Sequence, residues 1–297
     1  MTTSGHFLSP IRQAAIRPFE TASRPLVGFA ENYAAGLRTG LHAHPRAQLL
    51  YAVSGVMRVE TPSVAYVVPP TTALFLAANV PHSVTMDGPV AMRELFLRED
   101  AVARAAIRTA VIVVSPLLRE LILAACAEPL DWALSGRGYH LTELALGEIA
   151  RATPLPLGLP MPRDPRLCRV VLALRGSPSD LRGLDELAVM AGASSRTLAR
   201  LFRAETGLGF RQWRQQMRMT EALNALVTGA TPTRAAAIAG FASQPAFGAA
   251  FRSLFGMTPG QARSVDKTFG TAAIEGQARK RGNPETRQDP QDCGPAG

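Results

Sequence analysis

Lysine is almost missing from this chain. Lys267 and Lys280 are the only two, so 30 of the 32 basic residues are arginine. A GC-rich coding sequence would produce the same bias, so the charge means something only once it is located. Cysteine is scarce as well. Cys126, Cys168 and Cys293 are odd in number and far apart, which excludes a disulfide framework or a paired-cysteine metal motif and fits a reducing compartment. No apolar run approaches the ~18 residues of a membrane span. The N-terminus, with His6 and Arg12 among small polar residues, lacks a signal-peptide core. These absences predict a cytoplasmic protein with no membrane partner. What is present is ample: 297 residues, 47% of them hydrophobic, suffice for a full core and about two domains. A net charge of +9 excludes an acidic class and points toward a polyanionic partner.

The charge is concentrated. Residues 1–155 hold 13 basic and 12 acidic side chains, whereas 163–265 hold 14 arginines and 6 acids; from 266 onward there are 5 of each. A genome-wide arginine bias would not remove acids from one segment alone. Prolines 154, 156, 160 and 162 each remove a backbone donor and restrain the preceding residue, so neither helix nor central strand continues there. The expected organisation is a β unit over 1–110, a helical connector over 111–152, a proline-rich linker over 153–163, a basic helical domain over 164–265, and a disordered tail over 266–297.

Within the basic segment, Leu184, Leu187, Ala188 and Ala191 recur at i, i+3, i+4 and i+7, one buried helical stripe. Gly192 breaks that helix, and Ser194 or Ser195 caps the next. The second helix buries Leu198, Leu201 and Phe202 and carries Arg196, Arg200 and Arg203 on its other face. A small residue at the helix crossing, a glycine turn and an aliphatic lock are the arithmetic of a helix-turn-helix. Its arginine face suits guanine edges or phosphates in a major groove, although a solvated surface helix would show the same spacing.

The unit is repeated. Ala236 and Gly240 repeat Ala188 and Gly192 at an offset of 48, while Phe251, Arg252 and Gly256 repeat Phe202, Arg203 and Gly207 at 49. Thr231-Pro232 reads as a helix start, and Ser243 caps a helix burying Phe247, Phe251 and Phe255. Between the units, 210–227 reads as one helix of 18 residues, about 27 Å long and near the ~34 Å between successive major-groove faces. One chain can thus present two recognition helices to adjacent grooves.

The run Leu187-Ala188…Ser194-Ser195-Arg196-Thr197-Leu198-Ala199-Arg200-Leu201-Phe202-Arg203…Thr206-Gly207 resembles the first half of the AraC/XylS-type DNA-binding domain. Arg218…Ala222 resembles its linking helix. Gly240-Phe241…Phe247…Phe251-Arg252…Phe255-Gly256…Pro259…Arg263 resembles its second half. The resemblance implies base contacts from Arg196, Ala199 and Arg200 on double-stranded DNA, with Ser194, Ser195, Thr197 and Arg203 alongside. The second unit departs from it. Gln244, Pro245, Gly248 and Ala249 face outward, and Arg252 is the one charge near Ser243 and Gln244. The first helix is therefore expected to read and the second to position.

In the N-terminal half, aliphatic runs broken by Gly and Pro over 47–97 read as short strands. Gly36, His42, His44, Gln48 and Gly55, followed by Pro81-His82, have a spacing that resembles the two motifs of the cupin barrels. Gln48 stands where a metal-binding glutamate is usual. Strand alternation turns His42 and His44 to one interior. Two readings stay open: His42, His44 and His82 bind a divalent metal with Gln48 as a weak fourth ligand, or the four residues form a metal-free effector pocket. His6 and His140 are isolated and read as ordinary residues.

The connector carries two apolar stripes, one at Leu117, Leu118, Leu121, Ile122 and Ala125, the other at Leu141, Leu144, Ala145 and Ile149. They pack on the β unit or form a dimer interface, and the family resemblance favours a homodimer. The combined expectation is an α+β, two-domain transcription regulator that is not an enzyme: a cupin-like β-barrel controlled by a small-molecule effector, joined to an all-α domain with two helix-turn-helix motifs. The alternative is a metal-dependent cupin oxygenase or isomerase fused to a DNA-binding module, which would need a strong metal site and a general acid or base.

Overall fold

The computed structural model describes residues 10–155 and 157–264; His6, Cys293 and the expected tail lie outside the described residues. The chain opens with helix α1 (Pro10–Thr21), then strands β1 (Leu26–Tyr33), β2 (Ala47–Ser54), β3 (Met57–Glu60), β4 (Val64–Val68), β5 (Thr72–Leu76), β6 (Ser83–Met86) and β7 (Val90–Leu97). Helix α2 (Glu99–Ala105), strand β8 (Ala110–Val113) and helices α3 (Pro116–Ala125) and α4 (Arg137–Arg151) follow, then strands β9 (Pro154–Leu155) and β10 (Gly158–Pro160). The strands form two antiparallel sheets, ordered β1-β7-β2-β5-β8-β9 and β10-β4-β3-β6. The sheets face one another as a cupin-like sandwich.

Sequence patterning explains the layering. In β2, Leu50 and Ala52 point between the sheets. Ala47, Leu49, Tyr51 and Val53 point outward, yet they are buried under α2, α3 and α4. A strand covered on both faces reads as a continuous apolar run, and each such side chain contributes about 1.5–3 kcal/mol. The connector stripes account for the cover: Leu118, Leu121, Ile122, Ala125, Ala145 and Ile149 are buried against this sheet. Leu117 and Leu144 are 49% and 52% exposed. A Cβ built on Gly28 would lie 2.5 Å from the amide nitrogen of Cys126, so only glycine lets the end of α3 press onto β1.

The β unit extends past residue 110, because β8 pairs with β5 and β9 pairs with β8. The proline-rich segment joins the fold at its margins. Pro154 lies in an edge strand of the first sheet and Pro160 in an edge strand of the second, positions where a missing N–H costs no ladder bond. From β10, Leu159 enters the core of the next domain.

The C-terminal half is helical: α5 (Pro165–Gly176), α6 (Leu184–Ala191), α7 (Ser195–Thr206), α8 (Phe210–Val227), α9 (Pro232–Ile238) and α10 (Gln244–Phe255). Helices α6–α7 and α9–α10 are the two helix-turn-helix units. Gly192 and Gly240 end α6 and α9 with φ of +66° and +76°, the left-handed conformation glycine adopts without a Cβ penalty. Ser194, Thr231 and Ser243 cap α7, α9 and α10 by accepting from Thr197, Arg234 and Ala246 amides. No helix among the described residues is long and apolar enough to cross a membrane.

Candidate functional site

Three histidines meet at one end of the sandwich. His42 and His82 exchange backbone hydrogen bonds of 2.9 and 2.7 Å, an isolated bridge outside the named strands. Their convergence with His44 therefore comes from this bridge rather than from regular strand alternation, since Gly40 and Pro45 interrupt the segment. His44 is only 3% exposed. One ring nitrogen from each residue lies within 4.8 Å of the others.

The outer ring nitrogens fix the tautomers. His42 Nδ1 lies 2.7 Å from Gly40 O and His82 Nδ1 2.9 Å from Val80 O. A carbonyl only accepts, so both Nδ1 atoms donate and both Nε2 atoms keep a lone pair. His44 Nδ1 lies 2.6 Å from Glu20 Oε1 on α1. Burial, then the neighbouring His82, pushes the His42 pKa down to about 3. Burial likewise pushes His82 down to about 4. Imidazoles whose outer nitrogen is backed by a carbonyl or a carboxylate are the arrangement metal-ligating histidines use, so this donor set fits a divalent cation of the borderline class.

Gln48 lines the same small cavity as the histidines, about 20 Å³ in volume, room for one water or ion. Its amide nitrogen donates to Glu94. Glu94 is fully enclosed, and burial raises its carboxyl pKa to about 8. The sequence reading missed Glu94 and Glu20. Glu94 shares the inward phase of β7 with Val90, Met92 and Phe96, so a period-2 reading of that strand exposes it as a carboxyl among core residues. Nothing local marks Glu20, which acts across 24 positions.

A wider groove of about 320 Å³ opens outside the histidines, between Gln13, Ile16 and Glu20 of α1 and Leu41, Ala43 and Pro81. Helix α1 is seated firmly beside it. Phe19 packs edge-on against Phe29 with centroids 4.9 Å apart. Arg46, itself buried, donates to the carbonyls of Glu20 and Arg24 at 3.0 Å and also to that of Ala22.

The helical domain grips the opposite end of the second sheet. Arg58 of β3 makes a bidentate pair with Glu221 of α8 at 2.7 and 2.8 Å and also pairs with Asp87. Asn224 of α8 donates to Asp87 at 3.0 Å, and Arg175 pairs with Glu60. Trp213 and Gln216 of α8 donate to Pro160 and Gly158 carbonyls at 2.8 and 2.9 Å. Strand β6 begins immediately after His82 and ends immediately before Asp87, so one short strand joins the histidine cluster to this interface.

Both candidate DNA-reading faces are open with the β unit docked. Arg196, Ala199, Arg200 and Arg203 on α7 are exposed, as are Gln244, Pro245, Ala249 and Arg252 on α10. Ser194 and Thr197 hydroxyls lie 2.9 Å apart. Ser195 donates to Asp185 and Gln244 to Thr233, an equivalent contact in each unit from the start of the recognition helix to the start of its partner. His140 is exposed on α4.

A cupin-like ligand-binding half docked on a double helix-turn-helix defines a DNA-binding transcription regulator. Residues 26–191 match the AraC-like ligand binding domain and residues 187–264 match a helix-turn-helix domain. The chain is 31% identical over 225 residues to the HTH-type transcriptional regulator NimR of Escherichia coli, covering 76% of this chain and 82% of NimR. It is 37% identical over 101 residues to the HTH-type transcriptional regulator RipA of Corynebacterium glutamicum, 34% of this chain and 30% of RipA. A structure of fatty-acid-bound ToxT from Vibrio cholerae aligns with 81% of this chain and 95% of its own at 10% identity and a TM-score of 0.34. The chain belongs to the AraC family.

Proposed function

We propose that a small-molecule effector in the groove beside His42, His44 and His82 is sensed through those histidines and relayed along β6 to α8, changing operator binding. The observation that carries this reading is the run of β6 from His82 to Asp87, whose carboxylate engages both Arg58 and Asn224. The groove of about 320 Å³ suits a compact organic molecule, whereas the 20 Å³ interior does not. A divalent cation on His42, His44 and His82 would offer an open coordination position to a donor atom of that effector. Gln48, held by Glu94, shapes the floor. In this reading the β unit senses and does not catalyse, and the protein works in the cytoplasm.

On the DNA side, Arg196, Ala199 and Arg200 read bases and Arg203 holds phosphate, with Ser194, Ser195 and Thr197 ordering the start of α7. Helix α10 positions through Ser243, Gln244 and Arg252. Exposed Leu117, Leu144 and Tyr139 on α3 and α4 support a homodimer through the connector. The test is a gel shift on DNA upstream of the protein's own gene, with and without candidate effectors and chelator. Effector-dependent affinity that is lost in His82→Ala supports the relay; the same effector response in wild type and His82→Ala refutes it. Stoichiometric iron with oxygen consumption would replace sensing by catalysis.

A further inference from the structure

The two DNA-reading units share one helix, and Arg218 sits where that helix passes from one core to the other. Phe210, Trp213 and Met217 of α8 pack into the first unit, while Met219, Ala222 and Leu223 pack into the second. Arg218, between Met217 and Met219, is 8% exposed. Its Nε donates to Pro178 O at 2.8 Å and its Nη2 to Asp180 O at 2.7 Å, both in the turn between α5 and α6. Its Nη1 lies against the other unit. A Cβ built on Gly240, the turn residue after α9, would fall 2.7 Å from that nitrogen.

Farther along the same flank of α8, beside Glu221, Ala225 and Thr228, the units stand apart. A cleft of about 510 Å³ separates Pro178 and Ser179 of the first from Arg234 and Ile238 of the second. Packing across that cleft does not brace the angle between α7 and α10, and a shared helix restrains it only through side chains along its sides. A planar guanidinium with directed donors braces a turn in one unit against a turn in the other, which a flexible ammonium cannot do.

We infer that Arg218 is a positioning residue that fixes the angle between the two recognition helices and so sets the half-site spacing the protein accepts. One inserted base pair moves the second half-site by ~3.4 Å and ~35° around the duplex. A braced pair of helices rejects that displacement, whereas an unbraced pair follows it.

The test uses the full chain and DNA selected by the wild-type protein from a random pool. Derivatives gain or lose one base pair between the two contacted blocks, and affinity is read by fluorescence anisotropy at fixed salt. Wild type is expected to lose about tenfold or more for either change, the scale of a mismatched contact. Arg218→Met should bind the natural spacing more weakly but differ by less than about threefold across the three spacings, keeping wild-type affinity for a single block. Arg218→Lys, which keeps the charge and loses the fork, should show the same flat profile. A wild-type spacing ratio in either folded variant overturns the inference. Should both variants fail to fold, spin labels on the protein with Arg218 intact decide it. Exposed, equivalent positions Ala204→Cys and Ser253→Cys, with Cys168→Ser and Cys293→Ser, should give one narrow distance without DNA. A broad distribution overturns the brace.

Discussion

Removing the Arg58 guanidinium tests how strongly the sensing half holds the reading half. The ion pair with Glu221 is bidentate at 2.7 and 2.8 Å, and the two side chains are 21% and 17% exposed. Opposite charges about 4 Å apart at an effective dielectric near 20 attract by about 4 kcal/mol. Partial desolvation subtracts from this, leaving a net coupling of about 1–3 kcal/mol, between exposed pairs at under ~1 and buried pairs at ~3–5. Arg58 also pairs with Asp87, so the single substitution underestimates nothing and overestimates Glu221. The clean measurement is a double-mutant cycle of Arg58→Met and Glu221→Gln, read as urea unfolding free energies of the full chain. A coupling in the stated range is expected, together with faster amide exchange at Met57–Glu60 in Arg58→Met. A coupling below ~0.3 kcal/mol would show that the pair is merely adjacent, and the relay from β6 would lose its receiving end.

Three further outcomes are expected. Arg200→Ala should weaken operator binding by about 1–3 kcal/mol and relax sequence preference; unchanged affinity in a gel-shift titration removes Arg200 from base reading. Glu20→Gln, which weakens the acceptor behind His44, should lower zinc affinity about 10–100-fold in calorimetry, and equal affinity would detach α1 from the site. Glu94 keeps its proton in the fold up to about pH 8, while an unfolded carboxyl loses it near 4.5. Stability therefore falls as pH rises through that window, by about 1.4 kcal/mol per unit. Glu94→Gln, which does not titrate, should gain on wild type in thermal unfolding from pH 5 to pH 9; a constant difference contradicts a neutral buried carboxyl.

The helical half was legible because its signals are local. Capping serines, turn glycines and stripes at helical spacing act within a few residues, and their recurrence at offsets of 48 and 49 gave the repeat. The histidine cluster was legible by spacing, although the geometry that assembles it is a bridge between residues 42 and 82 rather than one strand. What escaped acts at a distance. Arg58 meets Glu221 across 163 positions, and Arg218 meets the 178–180 turn through backbone carbonyls, which leave no trace in side-chain identity. Helix α1 was hidden by Pro18 inside it, a residue that ordinarily argues against a helix.

Strand β6 is four residues long, and its length carries a consequence that its composition does not. Its inward side chains, Val84 and Met86, answer to the core and can exchange among apolar residues of similar volume. Its residue count answers to two fixed points, His82 at one end and Asp87 at the other. Adding or deleting one residue would displace Asp87 by ~3.3 Å and turn its carboxylate to the opposite face, away from Arg58 and Asn224. The protein therefore has a ruler within it: the interval from this histidine to this aspartate can vary in spelling but not in number.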